Sequence, residues 1–263
     1  MPELPEVEFA AGVARMASQG KRIAAVRVLH PSLRRALSDT MADSLVGDTV
    51  ATVLRRGKHQ LLVLGSGRTL YVHFRMTGDW QVGRIDGERS RFARLTLDFA
   101  DGTRLALEDA RALAVVSLHE AGVDPLPDLG PEATAADFNA AWLADFFQRR
   151  RTPIKPILLD QRLVAGIGNI YASESLWYAK VDPRRGVHRI AAARLVQVVA
   201  GVKRVMRHAL EHRERYYGAD GVSDAVRFNV YDRAGDACRR CRTPIVRIVQ
   251  AGRSTYYCPS CQR

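Results

Sequence analysis

The stretch "CRRCRTPIVRIVQAGRSTYYCPSCQ", residues 238–262, holds all four cysteines of the 263-residue chain. Cys238 and Cys241 form one C-x-x-C pair, Cys258 and Cys261 form another, and sixteen residues separate the pairs. Two such pairs have the spacing of metal-ligand knuckles, and four thiolates match the tetrahedral preference of zinc. Disulfides are the competing arrangement, favoured only in an oxidising compartment. The segment is too small to fold on an apolar core of its own, so one closed zinc site there is read as structural, contributing folding free energy to a short hairpin. From Cys238 to the C-terminus the chain has six arginines and no acid. A metal-stapled hairpin with that charge is read as a phosphate-facing finger.

The whole chain agrees with that reading. Lys+Arg number 40 against 28 Asp+Glu, a formal charge of +12 with a pI near 10.1. That balance is the footprint of a polyanion binder, nucleic acid first, although an ordinary enzyme from an arginine-rich proteome would share it. Only five residues are lysine (Lys21, Lys58, Lys155, Lys180 and Lys203), which singles each of them out. A composition 47% apolar and 26% charged is globular. No segment approaches the roughly 18 apolar residues of a membrane span. The start carries acids where a signal peptide carries bases, so the expectation is a soluble intracellular protein with no membrane partner.

Working back from the finger, the chain is long for one core and two or three modules are expected. Pro5 suits the first turn of a helix, and Val7, Ala10, Ala11 and Ala14 recur at helical spacing, which predicts a helix from 5 to about 18. Over residues 21 to 120 the period becomes two. Leu70, Val72 and Phe74 alternate with Tyr71, His73 and Arg75, and Asp101-Gly102 between alternating runs signals a hairpin. "GVDPLPDLGPEA" (122–133) reads as a linker. A helical half follows, with Thr134 as expected N-cap and Phe138, Trp142 and Phe146 on one helix face. "KPILLDQRL" and "NIYASESLWYA" are two further helical stretches around "VAGIGN", and a longer helix is expected from about Ala191 to Arg215. The expected fold is therefore α+β and multidomain: an N-terminal helix with an antiparallel β-sandwich over 1–130, a helical domain over 131–220 and a zinc-finger β-hairpin over 221–263.

Two short motifs carry candidate chemistry. In "AGIGN" (165–169) the glycines allow close backbone approach, and the N–H groups that open the next helix make a phosphate site to which Asn169 adds a side-chain donor. Glycine in a helix-helix turn also serves packing alone. "MPELPE" at the start places Pro2 directly after the initiator. If Met1 is removed, Pro2 presents a secondary amine with a pKa near 8, about a tenth neutral at pH 7, and so a nucleophile ready without burial. Glu3 and Glu6 stand beside it to move protons. Helix initiation explains proline and acids at the same positions.

Together "MPELPEVE", "RRGKHQLLVL", "VHFRMTG", "IKPILLDQRLVAGIGNIYASESL" and the closing cysteine segment resemble the formamidopyrimidine-DNA glycosylase / endonuclease VIII (Fpg/Nei) family over the whole length, in the right order. The resemblance implies an N-terminal β-sandwich, a helix-two-turn-helix domain and a zinc finger, with damaged double-stranded DNA held in the cleft between the halves. It implies a bifunctional DNA glycosylase and AP lyase of base excision repair. Pro2 is then the nucleophile that attacks C1′ and leaves a Schiff base, Glu3 the acid/base partner at the sugar, and Lys58 the general acid in β-elimination. Arg253 is the finger arginine linked to δ-elimination. Asn169 matches a backbone-binding asparagine, with Lys155, His73 and Arg150 as further DNA contacts. Base excision requires the nucleotide to leave the stack. Met76 matches the family's inserting residue, with Arg111 reaching the orphaned base. A monomer in the bacterial-type cytoplasm, associated with the nucleoid, completes the picture.

The chain also departs from the family. "DARALA" (109–114) replaces the usual "DPRRFG", so Ala112 stands for the second arginine, Leu113 for the phenylalanine wedge, and opposite-base preference does not carry over. Phe92 replaces a phosphate-contacting histidine, and the stretch before the finger is short of the Gly-Gly-Thr-Thr type loop that closes over 8-oxoguanine. An altered-specificity or non-catalytic lesion binder on the same scaffold is the alternative. Against it stand Pro2, Glu3 and Lys58 together, since binding needs no free amine beside an acid. A zinc-ribbon module of the transcription or translation machinery explains the tail but not the start.

Overall fold

The computed structural model describes residues 1–212 and 228–263. They form two compact units, Met1–Pro2 with Glu6–Pro127, and Glu3–Pro5 with Asp128–Arg263. The expectation of a shortened loop before the finger falls largely on 213–227, outside the described residues.

Helix α1 (Leu4–Ser18) begins beside the expected proline, and in the first unit Val7, Ala10, Ala11 and Ala14 bury its inner face. Two short helices, α2 (Pro31–Arg34) and α3 (Asp39–Asp43), follow β1 (Ile23–Val28). The remaining strands are β2 (Val50–Arg56), β3 (His59–Leu64), β4 (Thr69–His73), β5 (Gly78–Arg84), β6 (Ala93–Phe99), β7 (Thr103–Asp109) and β8 (Val115–His119). They build two antiparallel sheets, β1-β6-β7-β5 and β2-β3-β4-β8. Leu62, Leu70 and Val72 from one sheet and Leu95, Leu97 and Leu107 from the other share one core, as the period of two requires. Each buried leucine there contributes about 1.5–3 kcal/mol of transfer free energy. The Asp101-Gly102 hairpin forms between β6 and β7, with Gly102 at φ 82°.

In the second unit lie α4 (Ala140–Phe147), α5 (Ile154–Leu158), α6 (Asn169–Ala179), a single 3-10 turn, α7 (Ala192–Glu211) and the finger strands β9 (Val246–Gln250) and β10 (Arg253–Tyr257). Three expectations are corrected here. Asn139, not Thr134, caps α4, its side chain accepting from the Trp142 N–H, and Phe138 is buried ahead of the helix rather than on its face. "KPILLDQRL" is helical only to Leu158, because the Asp160 side chain accepts from the Arg162 N–H and holds a turn instead. The long helix ends at Glu211 within the described residues. Helix α6 is buried almost all round, from Tyr171 to Trp177 and at Ala179. Gly201 of α7 permits that closeness, since a Cβ there would lie 2.6 Å from the Ser175 carbonyl oxygen. The finger strands turn through Ala251 and Gly252, both in left-handed backbone, the I′ pattern that matches strand twist. No helix among the described residues is long and apolar enough to cross a membrane.

Candidate active site and zinc centre

In the second unit the start of α6 grips Glu3. The Gly168, Ile170 and Tyr171 N–H groups donate to its carboxylate at 2.5, 2.8 and 3.3 Å, and the residue is 2% exposed. These are donors that a helix start leaves without intrahelical partners, at its positive end, so the carboxylate sits where the backbone favours negative charge. Both glycines of "AGIGN" are needed for this approach. A Cβ on Gly168 would fall 2.4 Å from Glu3 Cδ, and one on Gly166, at φ 100°, would fall 2.6 Å from Leu4. The motif expected to receive a phosphate instead receives a side chain of the chain itself.

Lys155, on α5, is 1% exposed, and its Nζ donates to Asn169 Oδ1 at 2.6 Å, to Thr255 Oγ1 at 2.7 Å and to the Ser254 carbonyl at 2.9 Å. All three ammonium hydrogens are used within the second unit, pinning α6 to the finger strand. Asn169, half-buried, donates its Nδ2 to the same Ser254 carbonyl at 3.0 Å. Arg253, exposed, opens β10 beside the I′ turn. Arg150, also exposed, lays its guanidinium 4.3 Å over the Phe146 ring.

Burial, partly offset by Glu3 and reinforced by Arg253, lowers the Lys155 pKa from 10.5 to about 8. Below pH 8 the ammonium is charged in both folded and unfolded chains, and the burial penalty is present in full. Between 8 and 10.5 the unfolded chain binds more protons, so this residue's contribution to stability rises with pH. Lys155→Met is expected to flatten that window in thermal melts, removing a rise on the order of 3 kcal/mol at most. Parallel curves for the two proteins would count against it.

In the first unit Lys58 is buried in the two-residue turn between β2 and β3, where Gly57 at φ 58° allows a II′-type hairpin. His73 ends β4 with its ring 4.8 Å from that of His59, and its Nδ1 accepts the Arg75 N–H at 3.0 Å, which leaves its proton on Nε2. Burial, with repulsion from His59, Arg75 and Lys58, lowers its pKa to about 3. Burial, Lys58, Arg75 and Arg56 lower that of His59 to about 4. His73 is thus a neutral donor at pH 7. Met76 is 39% exposed on the turn after β4, and Arg111 is exposed on the turn after β7. Asp109 joins the two turns, accepting from Thr77 Oγ1 and from the Arg111, Leu113 and Ala114 N–H groups. Pro2 is half-exposed, and Met1 precedes it.

Several structural partners escaped the sequence reading. Glu174, buried within α6, accepts from the Asn229, Val230 and Tyr231 N–H groups and from Asn229 Nδ2 at 2.8–3.0 Å. An acid in a helix without a polar face was the available signal, since buried charge must be paired.

The four Sγ atoms of Cys238, Cys241, Cys258 and Cys261 lie within 4.8 Å of one another, and all four thiols are free. Knuckle N–H groups face sulfur, Arg240 to Cys238 at 3.5 Å and Cys261 to Cys258 at 3.4 Å. A closed four-thiolate set of this size fits zinc and leaves no open position for catalysis. The finger holds one structural zinc.

Family models match along the chain: the formamidopyrimidine-DNA glycosylase N-terminal domain over 1–116, the formamidopyrimidine-DNA glycosylase H2TH domain over 129–218, and the zinc finger found in FPG and IleRS over 235–263. The chain is 38% identical over 274 residues to the formamidopyrimidine-DNA glycosylase of Chloroflexus aurantiacus, covering 100% of this chain and 98% of that one. Among solved structures it resembles Lactococcus lactis Fpg in complex with abasic-site DNA, with TM-score 0.90, 29% identity and 99% of each chain covered. It equally resembles that enzyme in a complex with DNA containing an oxidised pyrimidine, with TM-score 0.90, 29% identity and 100% of each chain covered. Likeness that runs through all three domains leaves one conclusion, that this chain belongs to the formamidopyrimidine-DNA glycosylase family and is a DNA glycosylase of base excision repair.

Proposed function

We propose that the chain excises oxidised bases from double-stranded DNA and then cuts the strand, through a covalent intermediate on Pro2. The observation that carries this reading is the Glu3 cradle, which fixes a carboxylate directly after the proposed nucleophile in the sequence. The neutral Pro2 amine attacks C1′, the N-glycosidic bond breaks, and the base leaves with its bonding electrons and takes a proton from water. The Glu3 carboxylate takes the N–H proton of the resulting ammonium and passes it to O4′ as the sugar ring opens, so that C1′ becomes an iminium on Pro2. The iminium acidifies the C2′ hydrogen; its loss expels the 3′ phosphate, with Lys58 as the general acid. Arg253 and Asn169 hold flanking phosphates, and His73 adds an uncharged Nε2–H donor. Zinc supplies the closed thiolate staple that keeps the finger folded. Arg150 contributes charge along the backbone.

Met76 fills the space left by the extruded nucleotide, and Arg111 faces the widowed base. Ala112 has no donor there and Leu113 no aromatic face, so discrimination among opposite bases rests on Arg111. The protein works as a monomer in the bacterial cytoplasm, on the nucleoid, a reading supported by its +12 charge and bacterial relatives.

The test is borohydride trapping on duplexes carrying a single abasic site, 8-oxoguanine, formamidopyrimidine, thymine glycol or dihydrouracil. A covalent adduct on the abasic duplex and on at least one lesion is expected. Tight DNA binding with no adduct on any substrate would leave a lesion binder in place of the enzyme.

A further inference from the structure

The C-terminal part of α6 carries a side chain that the proposed reaction does not use. Trp177 is 6% exposed, and its indole N–H is buried with no acceptor at full hydrogen-bond geometry. Such orphaned donors are rare in folded proteins and call for an explanation. The acceptor within its reach is the sulfur of Cys238, fully buried in the same small apolar cluster. A neutral thiol accepts hydrogen bonds weakly, whereas a metal-bound thiolate carries the charge that makes it a good acceptor. Arg240, inside the first knuckle, closes the arrangement. Its guanidinium lies 3.9 Å over the Trp177 ring and donates to the Trp177 carbonyl at 3.1 Å, while its own N–H faces Cys238 Sγ at 3.5 Å.

We infer that Trp177 is a positioning residue of the zinc centre, its indole N–H donating to the zinc-bound Cys238 thiolate and its ring held in place by Arg240. Groups that hydrogen-bond to metal ligands fix their orientation and strengthen metal binding by roughly 10–100-fold. Here the donor comes from α6, the helix whose other end cradles Glu3, so metal retention and the seating of the finger on α6 share one contact. Packing alone does not explain the geometry, because phenylalanine would fill most of the site and leave no orphaned donor.

Cadmium-113 in place of zinc gives a direct reading. One indole proton among Trp80, Trp142 and Trp177 is expected to show scalar coupling to the metal through the N–H···S bond and slow exchange with water, and both signals should vanish in Trp177→Phe. Absence of coupling on every indole proton would overturn the inference. Independently, Trp177→Phe should release zinc to excess chelator about 10-fold faster than the parent protein at pH 7. An unchanged rate would overturn it as well. If that variant does not fold, benzothienylalanine at position 177 replaces the N–H with sulfur at nearly constant shape, and the same two readouts decide.

Discussion

Glu3→Gln is expected to lower base excision by about 10²–10⁴-fold, the range for loss of a positioned general acid or base. Two separate consequences of the cradle make this substitution informative. A glutamine amide offers one acceptor oxygen where the carboxylate offers two, so its NH₂ must face at least one of the Gly168, Ile170 and Tyr171 N–H groups that now donate to Glu3. Leaving that donor unpaired costs about 1–3 kcal/mol. A modest fall in Tm should therefore accompany the loss of activity, and rates are to be compared well below both melting temperatures. Cleavage of preformed abasic sites should fall less than excision, because no base has to leave. Gly168→Ala provides the companion test: its Cβ would meet Glu3 Cδ at 2.4 Å and displace the carboxylate without removing it. Excision within about threefold of the parent in both variants would remove Glu3 from the chemistry.

The contrast between what the sequence announced and what it concealed is physical. The knuckles were legible because ligand chemistry demands fixed local spacing, and the sandwich because a strand with one buried face must alternate, as Leu70 and Val72 do. The hairpin turns at Gly57-Lys58 and Ala251-Gly252 were not legible, since neither carries the Asn-Gly or Asp-Gly pair that marks such turns. Roles that depend on long-range pairing stayed hidden. Nothing local to Lys155 pointed to Thr255, a hundred positions away, which accepts from it. "AGIGN" looked like a phosphate site, and the donors are indeed there, but the anion they hold is Glu3, 165 positions from Gly168. Asn139 displaced Thr134 as a cap because both can accept from an N–H, and only the packing of Phe138 and Trp142 decides which one starts the helix. Trp177 left almost no trace, and Glu174 only an acid in a helix without a polar face, since their partners lie in elements that periodicity does not link to α6.

Pro2→Gly is expected to reduce borohydride-trapped adduct on abasic DNA by about 100-fold or more, equivalent to roughly 2.7 kcal/mol in the barrier. Both residues end in an α-amine with a pKa near 8, so the fraction of neutral nucleophile at pH 7 is about the same, a tenth. The difference arises after attack. A secondary amine gives an iminium whose nitrogen has no proton to lose, so its positive charge persists and draws electrons from C1′ at any pH. A glycine amine gives an imine that must be protonated to do so, and the pyrrolidine ring that fixes φ is lost as well. DNA affinity, carried by the arginines, should be preserved to within a few-fold. Blocking Met1 removal in the expression host is the stricter form, since the Pro2 nitrogen is then a non-basic amide and trapping should cease altogether while binding persists. Intact mass must confirm which terminus is present in each preparation. Undiminished trapping by protein that retains Met1 would require another nucleophile, and Lys58, buried in its hairpin turn, would be the first residue to replace.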